Sequence, residues 1–236
     1  MTPPCRLAAV FIAVVSGFLF CAGELCAQAR PAPPPPRPAP RAVPQPPPPA
    51  FAFRAFGDAG LDRFAATRSF TAIFGRDSGP VYGGGGEVVL RGTWFVRVGA
   101  WRFTDRGERA LRLENQTFRL GIPLTVTIIP IEASAGYRVP IGRRRTLIPY
   151  VGAGVSSHSY KETSSFAVGE ENVSDRFTGY QILGGLEYRL HRFVGLAGEI
   201  QYTAVPDAIG AGGLSDAFNE HDLGGLIVRA RVLFGR

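Results

Sequence analysis

The sequence predicts an all-β fold: an eight-stranded antiparallel up-and-down transmembrane β-barrel, preceded by a signal peptide and a proline-rich tract. Three observations predict it. Apolar and charged residues alternate with a period of two along most of the chain. The connections between those runs are short and long by turns. The first 29 residues carry an export signal that holds all three cysteines. The alternation is plainest in the last run, Leu226 to Phe234. There Leu226, Val228, Ala230, Val232 and Phe234 share one face, and Arg229 and Arg231 share the other.

Residues 1–29 read as the signal peptide. Arg6 supplies the basic start, Leu7 to Phe20 the apolar stretch, and Ala27-Gln28-Ala29 the cleavage site. Neither Cys21 nor Cys26 follows a small residue, so lipidation is not expected. With Cys5, Cys21 and Cys26 all in this segment, the mature chain has no disulfide, thiolate metal site or cysteine nucleophile. Residues 30–50 form a proline-rich spacer, expected to be extended polyproline II with no core of its own. Residues 51–68 read as a lead-in segment, a short helix or irregular chain, and residues 69–236 as the barrel.

Within 69–236 the expected strands are 69–75, 80–91, 93–105, 122–138, 146–160, 175–190, 192–205 and 222–235. The first has the faintest alternation and is included partly because bacterial barrels close with an even strand number. Residues 91–93, 139–145 and 190–192 read as tight or modest turns, and 105–117, 161–174 and 206–221 as long polar loops, with Leu111 to Leu120 able to extend the first of these as a hairpin. Short turns on one rim and long loops on the other match periplasmic and extracellular sides, with both chain ends periplasmic.

The polar faces collect into a candidate lumen charge network of Glu87, Arg97, Glu132, Glu187, Glu199, Arg229 and Arg231. A barrel of this size is filled by side chains, and charges inside it are tolerable only when paired. A salt-bridged plug is therefore expected. On the opposite face, Trp94, Tyr137, Tyr188 and Phe234 fall near the short-turn rim, and Tyr82, Tyr180 and Tyr202 near the loop rim. Tyr180 and Tyr188 differ in depth by about 20 Å at ~3.3 Å per residue and ~40° tilt, which suits two membrane-interface girdles. Gly83 to Gly86 precede Glu87-Val88-Val89-Leu90, which continues as strand; a phosphate-cradling loop needs a helix there.

The net charge of +7 comes almost entirely from arginine. These arginines alternate with apolar residues, so nucleic acid is excluded as a partner. Arg143-Arg144-Arg145 reads as a charged turn able to meet anionic headgroups, and the loop with Glu162, Glu170, Glu171 and Asp175 fits no known calcium spacing.

On these features, residues 69–236 resemble the small bacterial outer-membrane β-barrel family that includes outer-membrane protein A's transmembrane domain, outer-membrane protein X and outer-membrane protein W. The resemblance implies that the final strand, alternating from Leu226 to an aromatic at Phe234, serves as an assembly signal; Gly235 and Arg236 extend beyond it. The resulting expectation is a porin-like, Gram-negative outer-membrane barrel, non-enzymatic and monomeric, with no cofactor or metal. Its partners would be outer-membrane lipids, lipopolysaccharide and the barrel assembly machinery. Three alternatives stand beside it: an outer-membrane lipid-modifying enzyme using Ser156 and His158, with His191 and His221 as further histidines; a soluble lipocalin-like carrier; and a narrow small-solute channel.

Overall fold

The computed structural model describes residues 50–113, 116–142, 145–164, 174–210 and 213–235. The signal peptide, most of the proline-rich tract, Arg143, Arg144, Glu170 and Glu171 lie outside the described residues. Eight strands form a closed antiparallel barrel in sequence order: β1 (Phe51–Phe64), β2 (Ser78–Leu90), β3 (Trp94–Leu113), β4 (Gln116–Arg138), β5 (Leu147–Ser164), β6 (Ser174–His191), β7 (Val194–Ala204) and β8 (Gly225–Gly235). The first strand pairs with the last, with Ala59 opposite Ala230, so no edge is left open.

The first strand is not 69–75. It is Phe51–Phe64, and the barrel begins there instead of at residue 69. Its outward face is Phe51, Phe53, Ala55, Gly57, Ala59 and Leu61, and its inward face includes Arg54, Phe56 and Asp58. Small residues on the outside and a phenylalanine on the inside blur the two-residue contrast. Residues 67–74 are instead a helix, α1 (Thr67–Phe74), because Phe70, Ile73 and Phe74 recur at helical spacing. Gly75 ends it in the left-handed conformation, φ 76°, and its N–H donates to the Thr71 carbonyl at 2.9 Å.

The expected loop at 105–117 is largely strand. β3 and β4 stay paired as far as Leu113 opposite Gln116, with one irregularity between Glu108 and Ala110. This hairpin rises beside α1, and a Cβ on Gly107 would sit 2.4 Å from the Ile73 carbonyl oxygen. Only glycine lets the helix lie that close. The last long connection carries a short helix, α2 (Gly213–Phe218), and β8 starts at Gly225, later than expected.

Two apolar layers line the interior. Phe56, Val81, Val89, Phe95, Trp101 and Leu233 belong to the layer among the lumen charges. At the loop rim Phe64, Phe70, Phe103, Val126, Val205 and Leu223 form a lid, with Phe74 and Ile73 of α1 packed on it. The ring centroids of Phe64 and Phe70 are 4.0 Å apart. α1 is thus held by its greasy face over the mouth of the barrel.

Candidate functional site

Parity along the strands decides which side chains meet in the lumen. Inward positions of β2, β3, β4, β6, β7 and β8 carry Glu87, Arg97, Glu132, Glu187, Glu199, Arg229 and Arg231, each no more than 4% exposed. β1 adds Arg54 and Asp58, and β4 adds Arg138. Five arginines thus face five paired carboxylates.

The pairing is one continuous chain. Near the short-turn rim Arg54 bridges Glu87 and Glu187, with Nη1 at 2.8 Å from Glu187 Oε1. Arg138 Nη2 donates to Glu187 Oε2 at 2.6 Å. In the middle, Arg97 donates to Glu87 at 2.9 Å and to Glu199 at 2.6 Å. Arg231 donates to Glu199 at 2.8 and 3.0 Å and to Asp58 at 2.7 Å. Tyr150 Oη donates to Glu199 at 3.0 Å, and the Trp101 indole N–H donates to Asp58. Toward the loop rim Arg229 donates to Glu132 at 3.0 Å, and Gln201 Nε2 donates to the same carboxylate at 3.0 Å.

Aromatic rings insulate this chain. The Arg229 guanidinium lies 4.3 Å from the Trp101 ring centroid and that of Arg231 lies 4.4 Å from Phe56. The glycines opposite are what admit the large rings: a Cβ on Gly83 would meet Trp101 Cδ1 at 2.6 Å. The cavities at either end of the network, one beside Arg54, Arg138 and Glu187 and one beside Asp62, His158 and Thr203, each hold about 10 Å³. That is room for about one water.

Ser156 Oγ and His158 Nε2 lie 2.9 Å apart, both buried and both inward, under the lid. Asp62 lines the same small cavity as His158, and its buried Oδ1 has no hydrogen-bond partner among the described residues. The outer wall is on the other side of the sheet from this pair. His191 is exposed at the short-turn rim, and exposed His221 lies 3.3 Å from Asn219 Oδ1. Among the described residues no group of three or more His, Asp or Glu side chains is placed to hold a metal ion.

Glu220 has a definite structural role. Its carboxylate accepts from the N–H groups of Arg68 and Ser69 at 2.9 and 2.8 Å and from Ser69 Oγ at 2.6 Å. The last long connection thereby caps the first turn of α1 from outside the helix. Glu220→Ala is expected to cost the lid about 1–2 kcal/mol. Amide exchange should rise across 67–74 and stay unchanged in β3, where the barrel itself is intact.

The outer wall has the opposite chemistry. Tyr82, Trp94, Tyr137, Tyr180, Tyr188, Tyr202 and Phe234 are all exposed, between 41% and 62%. Trp94 and Tyr137 stand side by side, ring centroids 5.0 Å apart. Between the two aromatic levels the wall is Val96, Val98, Ile131, Val151, Ile182, Leu196, Ile200 and Val228, every one exposed. The network expected from the sequence omits Arg54, Asp58 and Arg138, and the lid was not expected either. The signal for the first two was present in the alternation of Arg54, Phe56 and Asp58.

No family model and no curated protein matches the chain. Solved structures of small outer-membrane barrels do. Neisserial surface protein A is 13% identical over 78% of this chain and 96% of its own, with a TM-score of 0.45. The outer membrane protein OprG from Pseudomonas aeruginosa is 12% identical over 79% and 95%, TM-score 0.48. A major outer membrane protein from Thermus thermophilus is 14% identical over 79% and 100%, TM-score 0.47. At these identities the likeness concerns the course of the chain alone, and what the protein does has to come from its own wall and lumen.

Proposed function

We propose that this chain is an integral outer-membrane barrel with a structural or interaction role and no enzymatic activity. One observation carries the reading: the protein wears its apolar band outside and its ion pairs inside. In water that arrangement wastes the hydrophobic effect and buries charge for nothing. In hydrocarbon it is the stable one, since a closed sheet pairs its strands with no open edge and the wall matches its solvent. A soluble carrier needs the reverse, an apolar lumen. The short turns and both barrel ends, Phe51 and Gly235, share one rim, which in this reading faces the periplasm, and α1, α2 and the β3–β4 hairpin face the medium. Partners are then outer-membrane lipids and lipopolysaccharide along the wall and the barrel assembly machinery acting on β8 during insertion. The protein is read as a monomer, and the lumen as a plug that binds no cofactor.

The test is fractionation together with migration on unboiled gels. The protein should sediment with outer membranes, resist carbonate extraction and shift in mobility on boiling. A periplasmic, detergent-free soluble protein with no shift would refute the reading. In planar bilayers the folded protein should pass no steady current, because the spaces at either end of the network hold only about 10 Å³ each.

A further inference from the structure

The charges beneath the lid do not balance. Five lumen arginines meet five carboxylates, and Asp62 is a sixth. It faces the cavity from β1, two residues before Phe64, and its buried Oδ1 accepts no hydrogen bond among the described residues. Arg229 opposes Gly60, one diagonal step below Asp62, but both its terminal nitrogens donate to Glu132, at 3.0 and 3.2 Å. His158, in the same cavity, shares a hydrogen bond with Ser156 at 2.9 Å. Asp222 of the last connection accepts from the N–H groups of Val205 and Gly224, both at 2.7 Å, and has no ion-pair partner among the described residues either. A carboxylate oxygen closed off from water and left without a donor is costly. The mouth of the barrel thus carries surplus negative charge and calls for a cation that is not part of the chain.

The walls around Asp62 say what carries that cation. Phe64, Phe103, Ile128 and Leu223 line the cavity. A metal ion needs several oxygen ligands and is unsuited to such walls; a cation on an apolar body is suited to them. Phe70 of α1 shows the shape of the body. Its ring stacks on that of Phe64, centroids 4.0 Å apart and planes 17° apart, and its centroid lies 6.5 Å from that of Phe103. Phe64 meets Phe103 edge-on at 4.8 Å. The box takes an aromatic ring, and α1 supplies one of its own. α1 has only eight residues, too few to hold a helix alone, and is kept in place by Phe70, Ile73 and Phe74 and by Glu220. A free ring can therefore exchange for that of Phe70 with little change in buried apolar area. Asp62 and Phe64 are about 7 Å apart along β1, at ~3.3 Å per residue, a span that a two-carbon chain between ring and ammonium covers.

We propose that the chamber beneath α1 is a binding site for an arylalkyl primary amine, whose ring replaces that of Phe70 against Phe64 and Phe103 and whose ammonium donates to Asp62 Oδ1. Binding displaces Phe70 and lifts α1, so the free protein is closed by its own helix and the ligand competes with it. The ammonium brings what Phe70 lacks, a charge-assisted hydrogen bond to Asp62. The site lies inside the sheet and above the ion-pair plug, so it stands independently of what surrounds the wall.

The experiment is titration calorimetry at neutral pH on the folded barrel in zwitterionic micelles. The probes are 2-phenylethylamine, which is protonated there, and the neutral 2-phenylethanol. The wild-type protein should bind the amine over the alcohol by about tenfold or more, and the amine should raise amide exchange across 67–74. Phe70→Ala opens a ring-sized space beside Phe64 and should bind both probes more tightly while keeping the preference. Asp62→Asn removes a buried charge without changing volume and should lose the preference. Asp216→Asn, on exposed α2, should keep it. Equal affinity for amine and alcohol in the wild type would overturn the proposal, and would leave Arg229, whose Nε is also unpartnered among the described residues, to answer Asp62 through water. A preference that survives Asp62→Asn would overturn it too, as would a Phe70→Ala variant that binds neither probe more tightly. Amide protection of β3 in the same samples shows that each variant is folded, so failure here leaves the membrane reading as it was.

Discussion

Glu199→Gln is expected to destabilise the folded barrel by about 3–5 kcal/mol, the range for removing one partner of a buried ion pair. Glu199 is the hub of the lumen. It accepts from Arg97 at 2.6 Å, from Arg231 at 2.8 and 3.0 Å and from Tyr150 at 3.0 Å, and Arg229 lies 3.8 Å away. Glutamine keeps the volume and one acceptor, so no cavity term is added. What changes is charge. Two guanidiniums that shared one carboxylate retain only Glu87 and Asp58, and Asp58 is itself closed off at 8% exposure. Water cannot enter to compensate. Urea titration of the barrel in vesicles should therefore show a clear drop in midpoint. The exposed pair offers the comparison: Arg76→Gln breaks an equally short contact with Asp105 and should cost under about 1 kcal/mol, because Arg76 is 53% exposed and solvent replaces its partner. If the two variants behave alike, the lumen is wet and the network is not a plug.

The strands whose two faces differ sharply were legible in the sequence. β6 alternates Tyr180, Ile182, Leu186 and Tyr188 with Gln181 and Glu187, and a sheet has no other way to sort them. Glu132 beside Ile131, and Arg229 beside Val228, follow by the same rule. β1 was not legible, because Gly57 and Ala59 outside and Phe56 inside leave almost no contrast in hydropathy. The partners Arg54 and Asp58 were lost with it. α1 was hidden for a different reason: Ser69 to Phe74 is short, and a run holding Phe70, Ile73 and Phe74 fits a strand or a helix until one knows what it must cover. The lid is a tertiary decision, made by the open mouth of the barrel and by Glu220 reaching across from the last connection. Which carboxylate meets which guanidinium is likewise set by strand stagger, which parity does not encode.

A single arginine walked down the outside of β8 should cost most in the middle. The outward series on this strand is Leu226, Val228, Ala230, Val232 and Phe234. Leu226 opposes Tyr202 of the upper aromatic level, and Phe234 belongs to the lower one. Ala230 is halfway, opposite Ala59 on one side and Gly198 on the other, so a long side chain there meets no steric obstacle. Only solvent decides the outcome. With hydrocarbon outside, Ala230→Arg should lose about 2–4 kcal/mol of unfolding free energy in vesicles, and Leu226→Arg about 0–1 kcal/mol beyond its lost side chain. Ala230→Leu should be neutral or stabilising, since it adds apolar area against lipid. With water outside, the order reverses: arginine is harmless everywhere, and the added leucine enlarges an exposed apolar patch and promotes aggregation. A flat profile along the five positions would mean that no depth-dependent medium surrounds the wall, and neither a bilayer nor an aromatic boundary would then explain why the charges were put inside.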